Sequence, residues 1–332
     1  MSDAVLSRLS YLLSAVALAW LVTTPAFAEP RVLTSIKPLQ LIAAAVQEGV
    51  GTPDVLLPAG ASPHHYSLRP SDLRRVKEAD LVYWIGPDLE SFLPKVLAGR
   101  ERKSVAVQDM QGLHLRHFGE EHHHDDEPLE FQPEKHEGHD EKEPATKLQV
   151  DNHDQLHSPG ALDAHLWLRP ENARVIAERM VVDLALVDPS NADRYQANLA
   201  AFEQRLKTLD IKLKTRLEPL AGKPFFVFHQ AFDYFEEAYG LQHAGVFAVS
   251  AEVQPGARHV AEMRERLKAA GPACVFSEPP MRPRLAQTLS DGLPVHFAEL
   301  DALGFGLKPA YNGYEQLLTS LSEGLAGCLE QL

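Results

Sequence analysis

Apolar and polar positions along the chain follow two alternating periods. After Arg31, short β-rich apolar runs give way to stretches with helical spacing: Val32 to Ile36 then Leu39 to Val46, Val55 to Leu57 then Pro70 to Ala79, and Leu81 to Ile85 then Leu89 to Leu97. The second half repeats this, with Phe225 to His229 before Phe232 to Tyr239, Val246 to Val249 before Pro255 to Ala270, Ala273 to Ser277 before Pro283 to Leu289, and Val295 to Leu300 as a last strand. Such repetition predicts an α/β fold of two lobes, each with an open, mainly parallel sheet. Between the halves, Pro170 opens a helix whose apolar positions Val175, Ile176, Met180, Leu184 and Val187 share one face. Residues 170–187 are therefore expected to join an N-terminal lobe (29–169) to a C-terminal lobe (188–332) as one rigid helix. The many charges of Asn191 to Leu217 suggest a solvated outer face.

Two segments break the pattern. Residues 1–28 carry Arg8, an apolar stretch from Leu9 to Val22 and the small-residue tripeptide Ala26-Phe27-Ala28, which predicts a cleaved secretory signal and a mature chain from Glu29. The stretch is shorter than the ~20 apolar residues of a spanning helix. No Cys stands at the cleavage point to take a lipid, so the expected compartment is a periplasm. The only two cysteines, Cys274 and Cys328, are exported with the mature chain, where thiols oxidise, and a disulfide between them would tie the C-terminal helix to a core strand.

The second segment, 119–154, holds 13 Asp or Glu against three Lys and almost no large apolar residue. It cannot bury enough surface to offset the entropy of ordering it, so a mobile loop is expected. With its edges it carries nine His: His114, His117, His122, His123, His124, His136, His139, His153 and His157. Imidazoles among carboxylates bind borderline divalent metals, and this region is read as a low-affinity metal collector, with His117, His122, His123, His124, His136 and His139 as its principal ligands.

Composition narrows the function. The 332 residues suit two domains, and a formal charge of −14 argues against a phosphate-binding surface, so nucleic acid is not an expected partner. No HExxH helix, GxSxG elbow or Gly-rich phosphate loop is present, which leaves an enzyme, such as a zinc hydrolase, a remote reading. Three further His occupy special places. His64 follows the Val55 to Leu57 strand through Pro58 to Pro63, His229 ends a strand, and His165 precedes the expected joining helix. In open α/β sheets, ligands bind beyond the carboxyl ends of the strands, so each lobe and the joint between them offers one imidazole to the interlobe cleft.

These residues lie in longer motifs. Gly60-Ala61-Ser62-Pro63-His64-His65-Tyr66-Ser67-Leu68-Arg69-Pro70-Ser71-Asp72, Asp80 to Gly86, His165-Leu166-Trp167-Leu168, Val227 to Ala231 and Phe276-Ser277-Glu278-Pro279 resemble, in order, the zinc-binding ZnuA proteins. Those are solute-binding subunits of ABC importers, within a class that also captures manganese and includes adhesins of the same fold. The resemblance implies two α/β lobes bridged by one long helix, one metal in the cleft held by His64, His165 and His229, and a His-rich acidic insertion. It leaves the fourth position to water, to His65, or to Asp301, the acidic residue of Leu300-Asp301-Ala302-Leu303-Gly304, with Glu278 a supporting carboxylate. Three neutral imidazoles suit Zn²⁺ better than Mn²⁺, which favours more oxygen ligands. The expected cargo is Zn²⁺, and the expected partners are an inner-membrane permease with its cytoplasmic ATPase, met by a monomer.

Overall fold

The structure, a computed structural model, describes residues 29–119, 160–248, 256–279 and 284–332. The expected signal peptide, most of the acidic segment and His122, His123, His124, His136 and His139 lie outside the described residues.

The N-terminal sheet runs through β1 (Val32–Thr34), β2 (Asp54–Val55), β3 (Leu81–Trp84) and β4 (Ser104–Ala106), in spatial order β2-β1-β3-β4. The C-terminal sheet repeats that order as β6-β5-β7-β8, built from β5 (Phe225–His229), β6 (Gly245–Ala248), β7 (Ala273–Ser277) and β8 (Val295–Glu299). Every paired neighbour is parallel, with Leu33 opposite Val82 in the first sheet and Val227 opposite Phe276 in the second. Parallel strands are covered on both faces, which is why β3 and β7 read as unbroken apolar runs and are buried almost throughout. In both sheets the strand order reverses beside the first strand, and the crevice this opens at the carboxyl ends faces the other lobe.

Helices α1 (Lys37–Val46), α2 (Pro70–Glu78) and the single turn α3 (Pro94–Leu97) accompany the first sheet. The helical spacing over Leu89 to Leu97 predicts more than forms. Pro94 disfavours helix in the residue before it, and the Glu90 carboxylate takes the backbone N–H groups of Ile85 and Gly86, at 3.3 and 3.0 Å, so the stretch folds as turns. Strand β4 has no counterpart in the sequence reading.

Helices α4 (Pro170–Val187) and α5 (Ala192–Leu217) follow, then α6 (Asp233–Tyr239), α7 (Ala257–Ala270), α8 (Arg284–Leu289) and α9 (Gly313–Leu329). The helix that touches both lobes along its length is α5, not residues 170–187. Near its start, Asn198 donates to the carbonyls of Val46 and Glu48; further on, Arg205 pairs with Glu315, and Arg216 with Glu330 of the C-terminal lobe. At a rise of about 1.5 Å per residue, its 26 residues reach ~39 Å, against ~27 Å for the 18 of α4. Helix α4 lies on the N-terminal lobe, where buried Asp183 accepts from Tyr83 and pairs with Lys103 and Arg179. The solvated outer face expected of α5 has a buried one opposite it. Tyr195, Leu199, Phe202, Leu206, Leu213 and Leu217 form a buried stripe, and only the opposite face carries the charges.

The lobes share one apolar core. Helix α1 is buried almost all round and packs against α4, α5 and α9. Its close approach to α9 uses the missing side chain of Gly313, where a Cβ would stand 2.8 Å from Leu41. Cys274 of β7 and Cys328 of α9 are joined as a disulfide, with Cα atoms 6.2 Å apart. Closing the loop between them, 54 residues apart, restricts the unfolded chain by about 4 kcal/mol in the chain-entropy picture.

Candidate metal centre

Each of the three singled-out His arrives by a different route. After β2 the chain turns through Pro58 to Pro63, with Gly60 in the left-handed region at φ 80°, and delivers His64 with its backbone N–H on the Ser62 hydroxyl (3.2 Å). Beyond it, Asp72 fixes the return by accepting from the Arg69 N–H at 2.9 Å and the Tyr66 hydroxyl at 3.0 Å, where α2 begins. His165 stands just before the short 3-10 turn Leu166–Leu168 that feeds α4, and His229 is the last residue of β5.

The structure brings these rings together. Their centroids lie 5.6 Å (His64 to His165), 5.5 Å (His64 to His229) and 5.0 Å (His165 to His229) apart, and one ring nitrogen from each lies within 4.8 Å of the others. All three residues are buried, at 5, 3 and 3% exposure. A tetrahedral Zn²⁺ with Zn–N of about 2.0–2.1 Å holds its donors roughly 3.3 Å apart, so small side-chain adjustments suffice for all three to coordinate one ion.

Two carboxylates orient two of the rings. Asp163 Oδ1 meets His165 Nδ1 at 2.8 Å and also accepts the His165 backbone N–H at 3.0 Å. Glu278, one residue past β7, meets His229 Nδ1 at 3.0 Å. A ring that commits Nδ1–H to a carboxylate keeps Nε2 as the nitrogen whose lone pair can coordinate, and the carboxylate makes that nitrogen more basic. Burial pushes the Asp163 carboxyl well above its ordinary range, with Asp233 and Glu236 adding to the effect and the His165 N–H and Arg116 opposing it. A cation bound through His165 would relieve that burial penalty.

Asp301 and Glu278 line the same cavity, with Ser62, Pro63, Trp167 and Phe305, but stand outside the group of mutually close donors. The Asp301 carboxylate closes its own turn instead. Oδ1 accepts from Leu303 N (3.0 Å) and Gly304 N (2.7 Å), and Oδ2 from Phe305 N (2.7 Å). Its burial nevertheless raises the Asp301 pKa. His65 is exposed, with its ring 6.5 Å from that of His64. His117 sits away from the cleft, paired by a β-bridge to Leu162. The role of Asp163 is absent from the sequence reading. Its signal was the spacing Asp-x-His, since an Asp side chain readily captures the backbone N–H two residues on.

The bridge at His117 belongs to a short ladder. Phe118 N–H donates to Ala161 O (2.9 Å), Gly160 N–H to Phe118 O (2.7 Å) and Asp163 N–H to Arg116 O (2.9 Å), so the two ends of the acidic insertion are stitched together beside the site.

A profile of the family described as "Zinc-uptake complex component A periplasmic" (ZnuA) matches residues 32–328. A high-affinity zinc uptake system protein of Yersinia pestis is 38% identical over 304 residues, covering 91% of this chain and 92% of that protein. Among solved structures, a crystal structure of ZnuA superposes with a TM-score of 0.70 at 22% identity, covering 90% of this chain and 99% of that one. A mutant laminin-binding adhesin of Streptococcus agalactiae gives 0.69 at 19%, over 90% and 99%. At such identities these two structures speak for the fold alone.

Proposed function

The chain belongs to the ZnuA family of periplasmic zinc-uptake components, and from that premise we propose that His64, His165 and His229 take one Zn²⁺ between the lobes. The protein captures zinc and passes it to an ABC importer; it is a carrier and not an enzyme. The single observation that carries the ligand assignment is the convergence of three buried imidazoles, drawn from three distant stretches of chain, within 4.8 Å.

The chemistry follows from the donors. An all-nitrogen set of borderline softness suits Zn²⁺ and is poor in the oxygen that Mn²⁺ prefers, and Asp301, the acidic alternative the sequence raised, is tied up by three backbone N–H groups. Water completes the tetrahedron. Asp163 and Glu278 hold two rings in place, so the ion meets a largely prearranged pocket. Residues 1–28 export the chain to the periplasm, where it works as a monomer, and the His-rich segment with His117, His122, His123, His124, His136 and His139 collects zinc at lower affinity. The loaded form then docks on the permease, whose partner ATPase supplies the energy.

The test is calorimetry with metal analysis on the wild type and on His64→Ala, His165→Ala and His229→Ala. Each substitution is expected to weaken cleft binding by more than ~100-fold, beyond what loss of a supporting contact brings. Unchanged affinity in any one of them removes that residue from the set.

A further inference from the structure

His165 and His229 reach the cleft from different segments, and something must keep the two in register. Asp163 grips the His165 ring, but Asp163 itself stands at the end of the ladder that closes the insertion. From the other lobe, a fully buried side chain reaches the backbone of that ladder. Tyr234 lies in the first turn of α6, five positions after His229, and is fully buried at 0% exposure. Its hydroxyl donates to Asp163 O at 2.9 Å and accepts the Arg116 N–H at 2.9 Å. Both sides of the ladder are thus fastened to the lobe that carries His229.

Other contacts at this junction are ionic and more exposed. Glu237, also on α6, pairs with Arg116, Arg169 and His114 around the rim. Glu237 resists sliding of the lobes, while the phenol fixes a position, because its two partners are backbone groups two residues and one ladder rung from His165. A buried hydroxyl needs a partner of some kind; the choice of these two, on the segment bearing the ligand, makes the contact more than core satisfaction.

We propose that Tyr234 is a positioning residue, whose hydroxyl locks the backbone at Arg116 and Asp163 to the C-terminal lobe and so sets His165 against His229 for metal capture. This rests on the assignment of the three imidazoles as zinc ligands. Tyr234 is not among the residues that line the cavity. It acts through Asp163, and a looser supporting shell lets a binding site drift by a fraction of an ångström.

The test is Tyr234→Phe, which keeps the ring and removes only the hydroxyl, with Tyr195→Phe as control. Tyr195 is equally buried, but its hydroxyl donates to Asp188 at 2.7 Å, away from the cleft. Tyr234→Phe is expected to weaken zinc binding about tenfold, the low end for supporting contacts, and to alter the visible absorption of the Co²⁺-loaded protein. Tyr195→Phe should lower thermal stability and leave both readouts at wild-type values. A second measurement needs no variant. If the tie aids binding, binding must tighten the tie, so hydrogen exchange at the Arg116 and Asp163 amides should slow on zinc loading of the intact chain. Wild-type affinity and an unaltered cobalt spectrum in Tyr234→Phe, equal losses in both Phe variants, or amides indifferent to zinc would each overturn the proposal. Zinc binding that survives His165→Ala would instead overturn the ligand assignment beneath it.

Discussion

An imidazole that holds a metal must first be without its second proton, and that requirement sets the pH response of the cleft. Ordinary His takes up a proton near pH 6.5, so three coordinating rings place three protons in competition with one Zn²⁺, and affinity should fall steeply as pH drops below that value. Dialysis of loaded protein at pH 5 is expected to strip the cleft ion, measured by metal analysis; full retention near pH 4 would contradict a nitrogen-only site. The sequence reading reached these three residues because each stands at a strand end or a lobe junction, positions where side chains face a crevice. Asp163 left only the local Asp-x-His spacing as a signal, and Tyr234 left none. The role of Tyr234 runs through a contact between segments remote in sequence, 71 positions apart for its bond to Asp163, and no local period encodes such a pairing.

At the scale of elements, βα alternation made both sheets legible, because strands buried on both faces carry continuous apolar runs. It failed where a side chain overrides the period. Glu90 sits at 0% exposure inside an apparently helical run and takes two backbone N–H groups there. Burial raises its pKa from 4.5 to about 7, outweighing those hydrogen bonds. Since the folded chain holds this proton more tightly than the unfolded one, the associated stability is present below about pH 4.5 and is lost as pH rises towards 7, a change of ~3 kcal/mol. Glu90→Gln, which stays neutral, should flatten that part of the dependence. Thermal unfolding of metal-free protein between pH 4.5 and 7 checks it, and equal slopes for both proteins would refute the assignment. The choice between α4 and α5 as the spanning helix was likewise hidden. Both are amphipathic, and only Asn198, Arg205 and Arg216, paired with opposite lobes, reveal which one crosses.

For the whole molecule, the proposal assigns collection and capture to different stretches of the chain. The cleft residues and their carboxylate supports all lie outside 120–159, so deleting that stretch and joining 119 to 160 should lower the number of zinc ions bound per chain and leave cleft affinity within a few-fold of wild type, as titration calorimetry would read it. Loss of cleft binding would mean that the two functions are not separable. The bonds between Phe118, Gly160 and Ala161 carry a practical corollary. Since the insertion leaves and re-enters the fold at one clasped point, its length and composition are decoupled from the architecture beneath. The same clasp is therefore a natural splice site, into which a fluorescent reporter with adjacent termini could be grafted to turn the carrier into a zinc biosensor.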